Sequence, residues 1–255
     1  MSPIHSAVAF RCAPRLAQQA SDFVRVHDGP DGTLVLMANA VDAGFATCWP
    51  PGSRLLLDAF LTVWPATEGA VEARLGETFA RVAQRFAAEA PGLRTPMEYD
   101  DDELPYGQLL AAWVTPHTVH AAWVGTDVML QARRGELVGS TRPHTLLHHL
   151  MDQRPDEPFD HIDVPYTVAR VLGGHTPPYG EPSAASFHAE PGDALVFMNG
   201  PMHRGRAHVA DSAARGARQA SPERVAEWLA DAGIREESPA YTAVAVLRLG
   251  PTEER

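Results

Sequence analysis

Lysine is missing from the chain altogether: all 21 basic residues are arginine. Nothing about function follows from that absence alone. No run of basic residues offsets a formal charge of −11, which argues against nucleic acid or an anionic membrane as the main partner. Cysteine is almost absent, with only Cys12 and Cys48 at no paired spacing. A disulfide framework or zinc knuckle is therefore not expected, and a reducing cytoplasm is the simpler compartment. No apolar run reaches bilayer-spanning length, and the start MSPIHSAVAFR lacks the basic opening and apolar core of a secretory signal. The expectation is a cytoplasmic protein with no membrane partner.

What is present suits a globular domain. Hydrophobic residues make up 45% of 255 residues, enough for a substantial core in a single domain spanning 1–255. The stretch from Ala121 to Leu146 organises the rest. Val119, Ala121 and Trp123 alternate with their neighbours as a strand does, and Gly125-Thr126 interrupts the run. Asp127 to Ala132 and Leu137 to Ser140 continue it as two more strands around the polar turn Arg133 to Glu136. Links this short permit only antiparallel neighbours.

In chain order, Ile4 to Arg11 reads as an opening strand. Asp22 to Val26 and Thr33 to Ala38 form a hairpin around the turn HDGPDG. Pro51 to Trp64 and Glu68 to Ala90 carry apolar residues at helical spacing, and Gly107 to Thr115 is a further strand. His144 to Met151 reads as a short helix, and Arg154 to Pro182 as proline-rich irregular chain. Ala194 to Met198 and Tyr241 to Leu249 are strands, and Ser221 caps a helix running to Ala232. The acidic run Asp100 to Glu103 has no calcium-loop spacing and reads as a solvated cluster. His144 and His148 stand four apart, but no third ligand accompanies them in a zinc pattern, so they read as polar surface histidines.

Laid end to end, these segments resemble the metal-dependent protein phosphatases of type 2C, the PPM family. TLVLMANAVDAG resembles the strand ending in Asp-Gly-x-Gly-Gly, and PYGQLLAAWV the Gly-Thr-Thr strand. HAAWVGTDVMLQARRGELVGSTRPHTLLHHL resembles the Val-Gly-Asp-Ser-Arg hairpin and the Thr-x-Asp-His that follows it. VPYTVARVLGG is similar to Leu-x-x-x-Leu-Gly, EPGDALVFMNG to Pro-Gly-Asp-x-Leu-Leu-x-x-Ser-Asp-Gly, and SPAYTAVAVLRL to the final Asp-Asn-x-Thr strand. The resemblance implies an α+β fold: a four-layer α/β/β/α sandwich of two packed antiparallel sheets flanked by helix pairs.

It also implies where two divalent cations and their attacking water would sit, and hard cations require anionic oxygens there. Asp22 keeps a carboxylate, with Ser21 where its acidic neighbour is expected. Asn39 stands at the metal-bridging position, Ala40 at the following glycine and Thr126 at the aspartate of Gly-Asp-Ser. Pro143 replaces the aspartate before His144, Asn199 that of Ser-Asp-Gly, and Pro239-Ala240 the final Asp-Asn. Arg11 and Arg15 lie near the phosphate-binding arginine. A shift by one residue would recruit Asp42, Asp127 or Asp193, but such a shift turns a strand side chain to the other face unless a bulge intervenes.

The resulting expectation is a catalytically inactive phosphatase-like binding or regulatory module with no cofactor, whose partner is another protein. The alternative is an active phosphomonoester hydrolase with a rearranged magnesium or manganese site. Its metal ligands would be Asp22, Asn39 and Asn199, or Asp22 with His144, His148 or His203. A third reading is a structural subunit that binds through its outer faces.

Overall fold

In the computed structural model the described residues are 4–12, 22–42, 49–93, 104–159, 167–173, 181–199, 207–235 and 241–250. Cys48, the acidic run Asp100 to Glu103, and the site candidates Arg15, Ser21, His203, Pro239 and Ala240 lie outside them.

The strands are β1 (Ile4–Cys12), β2 (Val24–Asp28), β3 (Thr33–Val41), β4 (Tyr106–Val114), β5 (Thr118–Val124), β6 (Val128–Arg133), β7 (Glu136–Ser140), β8 (Leu172–Gly173), β9 (Ser183–His188), β10 (Ala194–Met198) and β11 (Tyr241–Leu249). The helices are α1 (Pro50–Val63), α2 (Val71–Glu89), α3 (Leu146–Gln153), α4 (Ala207–Gln219) and α5 (Pro222–Arg235). One sheet runs β1-β11-β10-β6-β7 and the other β2-β3-β4-β5-β9, with the short β8 paired to β4. Every pairing is antiparallel.

Strand alternation explains the layering. Val35, Met37, Leu110 and Ala112 face Leu195, Phe197, Ala243 and Ala245 across the gap between the sheets. The other side of the second sheet, with Leu34, Leu36, Leu109 and Ala111, packs on Leu56, Phe60, Phe79 and Phe86 of α1 and α2. Central strands buried on both faces are continuously apolar, as LLAAWV in β4 is. The Phe60 and Phe79 rings meet edge to face at 5.8 Å, and each buried aromatic of this kind contributes about 1.5–3 kcal/mol. The first sheet carries α4 and α5 on its outer side, where Val128, Val196 and Val244 meet Ala213, Val225 and Leu229. The architecture is the four-layer α/β/β/α sandwich that the sequence implies.

Three elements depart from the sequence reading. β9 follows directly on the stretch read as irregular, which itself contains β8. α4 was not foreseen: its buried residues Ala210, Ala213, Ala214 and Ala217 are all small, so its amphipathic pattern is carried by the polar residues of the opposite face and not by large apolar ones. No described helix is long and apolar enough to cross a membrane.

Candidate functional site

One open end of the sandwich carries a continuous polar row. Asn39 pairs with Gln108 across β3 and β4, two residues beyond the Met37–Leu110 pair, so both amides share the inter-sheet face with those core residues. The same register, carried on from Leu109–Val124, sets Gly125 opposite Gln108. Gly125 has φ +111°, and a Cβ there would lie 2.5 Å from the Gln108 Cβ, so only glycine fits. Gln108 turns its Oε1 to Thr126, accepting the backbone amide at 2.7 Å and the hydroxyl at 2.8 Å.

The chain then crosses into the first sheet. The register of β6 with β10 pairs Val128 with Met198, and one more step brings Asp127 opposite Asn199. Both are buried. Asn199 ends β10 by substituting side chain for backbone: its Oδ1 accepts the Ala243 amide at 2.9 Å. The result is a path of Asn39, Gln108, Thr126, Asp127 and Asn199 from one sheet to the other.

Asp22 arrives at the level of Asn39 from the turn before β2, where the Phe23 carbonyl accepts the Ala38 amide. Its carboxylate is buried and is reached from α1 by Arg54, whose Nε and Nη2 stand 3.0 and 2.9 Å from Oδ1. The Asn39 Oδ1 is buried with no hydrogen-bond donor among the described residues. Ala40 lies on the helix-facing side of β3, its amide bonded to the Ser53 hydroxyl and its carbonyl to the Trp49 amide.

Behind the turn, His144 is locked in one tautomer. Its Nδ1 accepts the Gly125 amide at 3.2 Å, so Nε2 carries the proton and donates to Ser183 Oγ at 2.8 Å. The ring stacks on Trp123 at 6.1 Å. Burial, then the positive charges of Arg170 and His148, push its pKa down to about 4. His148 points its Nδ1 at the Pro143 carbonyl, 2.9 Å away. With both His144 nitrogens engaged, a metal role for the His144–His148 pair is not what the structure builds. Nor do they read as free surface histidines.

Other expected residues sit elsewhere. Arg11 follows the inward-facing Phe10 on β1 and therefore turns outward, where its Nε donates to Asp231 of α5 at 2.7 Å. That removes Arg11 as a phosphate ligand in the cleft. Asp193 lies at the far end of the sandwich, accepting from Arg133 Nε at 2.8 Å and Gln131 Nε2 at 2.8 Å. Burial alone would raise its carboxyl; the hydrogen bonds from Arg133, the Glu190 amide and Gln131 outweigh burial and hold it below the usual range. Asp127 is the reverse case. Alternation alone sets it one residue out of phase, yet the positive φ of Gly125 breaks the strand and restarts the count, so the carboxylate is buried at the site. Gln108 was also missed, although a lone amide in an apolar strand was a visible signal.

Among the described residues, no group of three or more His, Cys, Asp or Glu side chains is placed to hold a metal ion. No protein-family model and no curated protein sequence matches the chain. Solved structures do match. The Mycobacterium tuberculosis serine/threonine phosphatase PstP/Ppp superposes with a TM-score of 0.72 at 18% identity, covering 97% of this chain and 99% of that one. The catalytic domain of PstP in complex with two manganese ions gives 0.67 at 16% identity, over 97% and 98%. PppA, a regulatory component of the type VI secretion system in Pseudomonas aeruginosa, gives 0.68 at 20% identity, again over 97% and 98%. The chain has the fold of these phosphatases from end to end.

Proposed function

We propose that this chain is a phosphatase-fold binding or regulatory module for a protein partner, in which the inter-sheet cleft recognises a polar group and does not hydrolyse a phosphoester. The observation that carries this reading is the donor chemistry of the polar row. A pair of divalent cations brings four positive charges, which demand anionic ligands in a partly buried site. The described carboxylates at that end are Asp22, Asp127 and, just past β3, Asp42, and Asp22 is already bound to Arg54. The acceptor oxygens of Gln108 and Asn199 are engaged by the Thr126 and Ala243 amides. Those residues do not fit a two-metal centre.

Metal analysis of the purified protein, paired with hydrolysis of an aryl phosphate in manganese, tests the proposal. Substoichiometric metal and no turnover above buffer are expected. Stoichiometric manganese with turnover abolished by Asp127→Asn would overturn it.

A second reading rests on a different observation. The buried Asn39 Oδ1 has no donor among the described residues, and the Asp127 carboxylate is buried in the same row, which supports one cation held by mixed amide and carboxylate oxygens. That would be a metal-dependent phosphatase with a rearranged site. Single-site binding of manganese that is lost in both Asn39→Ala and Asp127→Asn would favour it.

A further inference from the structure

At the end of the sandwich away from the polar row, the β6–β7 turn, the β9–β10 connection and the end of α4 enclose a cleft of about 680 Å³. Four of the chain's arginines line it: Arg133, Arg134, Arg218 and Arg248. Arg133 is neutralised, since Nε and Nη2 bind Asp193 and Nη1 binds Glu190 at 2.6 Å. The other three have no ion pair with a carboxylate among the described residues. Arg248 donates to the backbone carbonyls of Ala217 and Ala220 at the end of α4, and the exposed Glu223 of α5 interacts with it electrostatically without forming an ion pair. Arg218 donates through Nη1 to the Arg134 carbonyl at 3.3 Å. Glu136 is the one lining carboxylate not already held by Arg133.

The turn that presents Arg134 is built at a conformational cost. Arg133 pairs with Glu136, leaving Arg134-Gly135 as a two-residue hairpin loop with φ of 55° and 90°. Positive φ at both central positions is a type I′ turn, where asparagine, aspartate or glycine is preferred first. Arg134 is the one non-glycine residue with positive φ among the described residues. Gly135 lets the Arg218 stem lie across the turn, because a Cβ there would stand 3.1 Å from Arg218 Cδ. The Arg218 guanidinium is thus held against the backbone of the turn that carries Arg134, and both residues line one cleft in a chain whose overall charge is −11.

We infer that this cleft binds a multiply charged oxyanion on a small molecule, a phosphate or polycarboxylate group gripped by Arg134, Arg218 and Arg248. Clustered guanidinium forks that no carboxylate holds in an ion pair match the planar oxygens of such groups, and like-charge repulsion among them is relieved when the anion enters. The inference is independent of what the inter-sheet cleft does.

Calorimetric titration of the full chain at low salt, with pyrophosphate in one arm and citrate in another, tests it. Saturable one-site binding is expected in at least one arm: tighter pyrophosphate binding identifies a phosphate ligand, tighter citrate binding a polycarboxylate. Arg134→Asn restores the residue the turn prefers, so that variant should melt no lower than wild type while binding weakens by about tenfold or more. Arg218→Gln should weaken binding similarly, and Asn39→Ala in the other cleft should not. Absence of saturable binding in both arms, or binding unchanged in both arginine variants, would overturn the inference.

Discussion

Arg54 reaches from α1 to a single oxygen of Asp22, with its Nε at 3.0 Å and Nη2 at 2.9 Å. The Asp22 side chain is 8% exposed while the Arg54 side chain is 56% exposed, so a solvated cation balances a buried anion. The resemblance to the type 2C phosphatases implies a metal ligand at Asp22, and on our proposal the positive charge there comes from Arg54.

Arg54→Ala is therefore expected to cost about 1 kcal/mol, a modest figure because solvent screens the exposed partner. Arg54→Lys should restore part of it, and the melting temperature of Arg54→Ala should rise more with added manganese than that of wild type. An equal response in the two proteins would show that Arg54 does not stand in for a cation.

Single reversions should leave catalysis absent. Asn39→Asp adds one charge to the row, but Asn199 keeps its Oδ1 on the Ala243 amide and Asp22 keeps Arg54. A nucleophilic water between two cations needs both of them in place. In wild type, thermal melts in magnesium, manganese and chelator should superimpose; a tight site at about a hundredfold its dissociation constant would add roughly 2.7 kcal/mol. Manganese-dependent turnover in Asn39→Asp alone would assign the missing ligands to Asp127 or Asp42.

Much of this architecture was legible because strands and helices announce themselves through large apolar residues. TLVLMANAV and YGQLLAAWV alternate or run continuously apolar, and α2 repeats Leu75, Phe79, Val82 and Phe86 on one face. α4 does not: AHVADSAARGARQ buries alanines, so its pattern rests on the charged residues of its outer face, and together with α5 it covers the first sheet. β9, SAASFH, is serine or alanine at four of its six positions and has few large apolar residues to mark it. At the site, Asn39, Thr126 and Asn199 could be placed by colinearity. Asp127 could not, because its direction depends on one glycine dihedral that sequence spacing does not reveal. The outward turn of Arg11 follows simply from its parity with Phe10, once the pairing of β1 with β11 is known.

That same glycine should be intolerant of change. Gly125→Ala would place a methyl 2.5 Å from Gln108 Cβ and force a φ of +111° on a residue with a side chain. Left-handed strain and overpacking together should cost about 2–4 kcal/mol. Urea unfolding is the measurement, with Gly76→Ala as control, since a Cβ at Gly76 meets nothing within 4 Å. A loss below about 1 kcal/mol at Gly125 would mean that the turn relaxes easily and that Gln108 is not fixed by it.

Acid should loosen the same turn through His144. The ring is neutral, its Nδ1 accepts the Gly125 amide, and its pKa is lowered from 6.5 to about 4, first by burial. Protonation puts a second donor on Nδ1, facing an N–H that is already a donor, so the contact breaks. Because the unfolded chain takes up this proton at a higher pH than the folded chain, the stabilisation is complete above pH 6.5. It falls as pH drops from there towards 4, and no further loss comes from His144 below that. His148, also lowered chiefly by burial, acts in the same direction. Asp193, held low, yields its contribution only as pH falls below its ordinary 3.8, a separate window. Unfolding free energies of wild type and His144→Gln at pH 7, 5.5 and 4.5 isolate the effect, because His148 is common to both proteins. Wild type should lose more stability than the variant over that interval, with the gap between them narrowing as the pH is lowered. Parallel pH curves would show that the imidazole titrates alike in the folded and unfolded chains, and the lock on Gly125 would have to be ascribed to packing against Trp123.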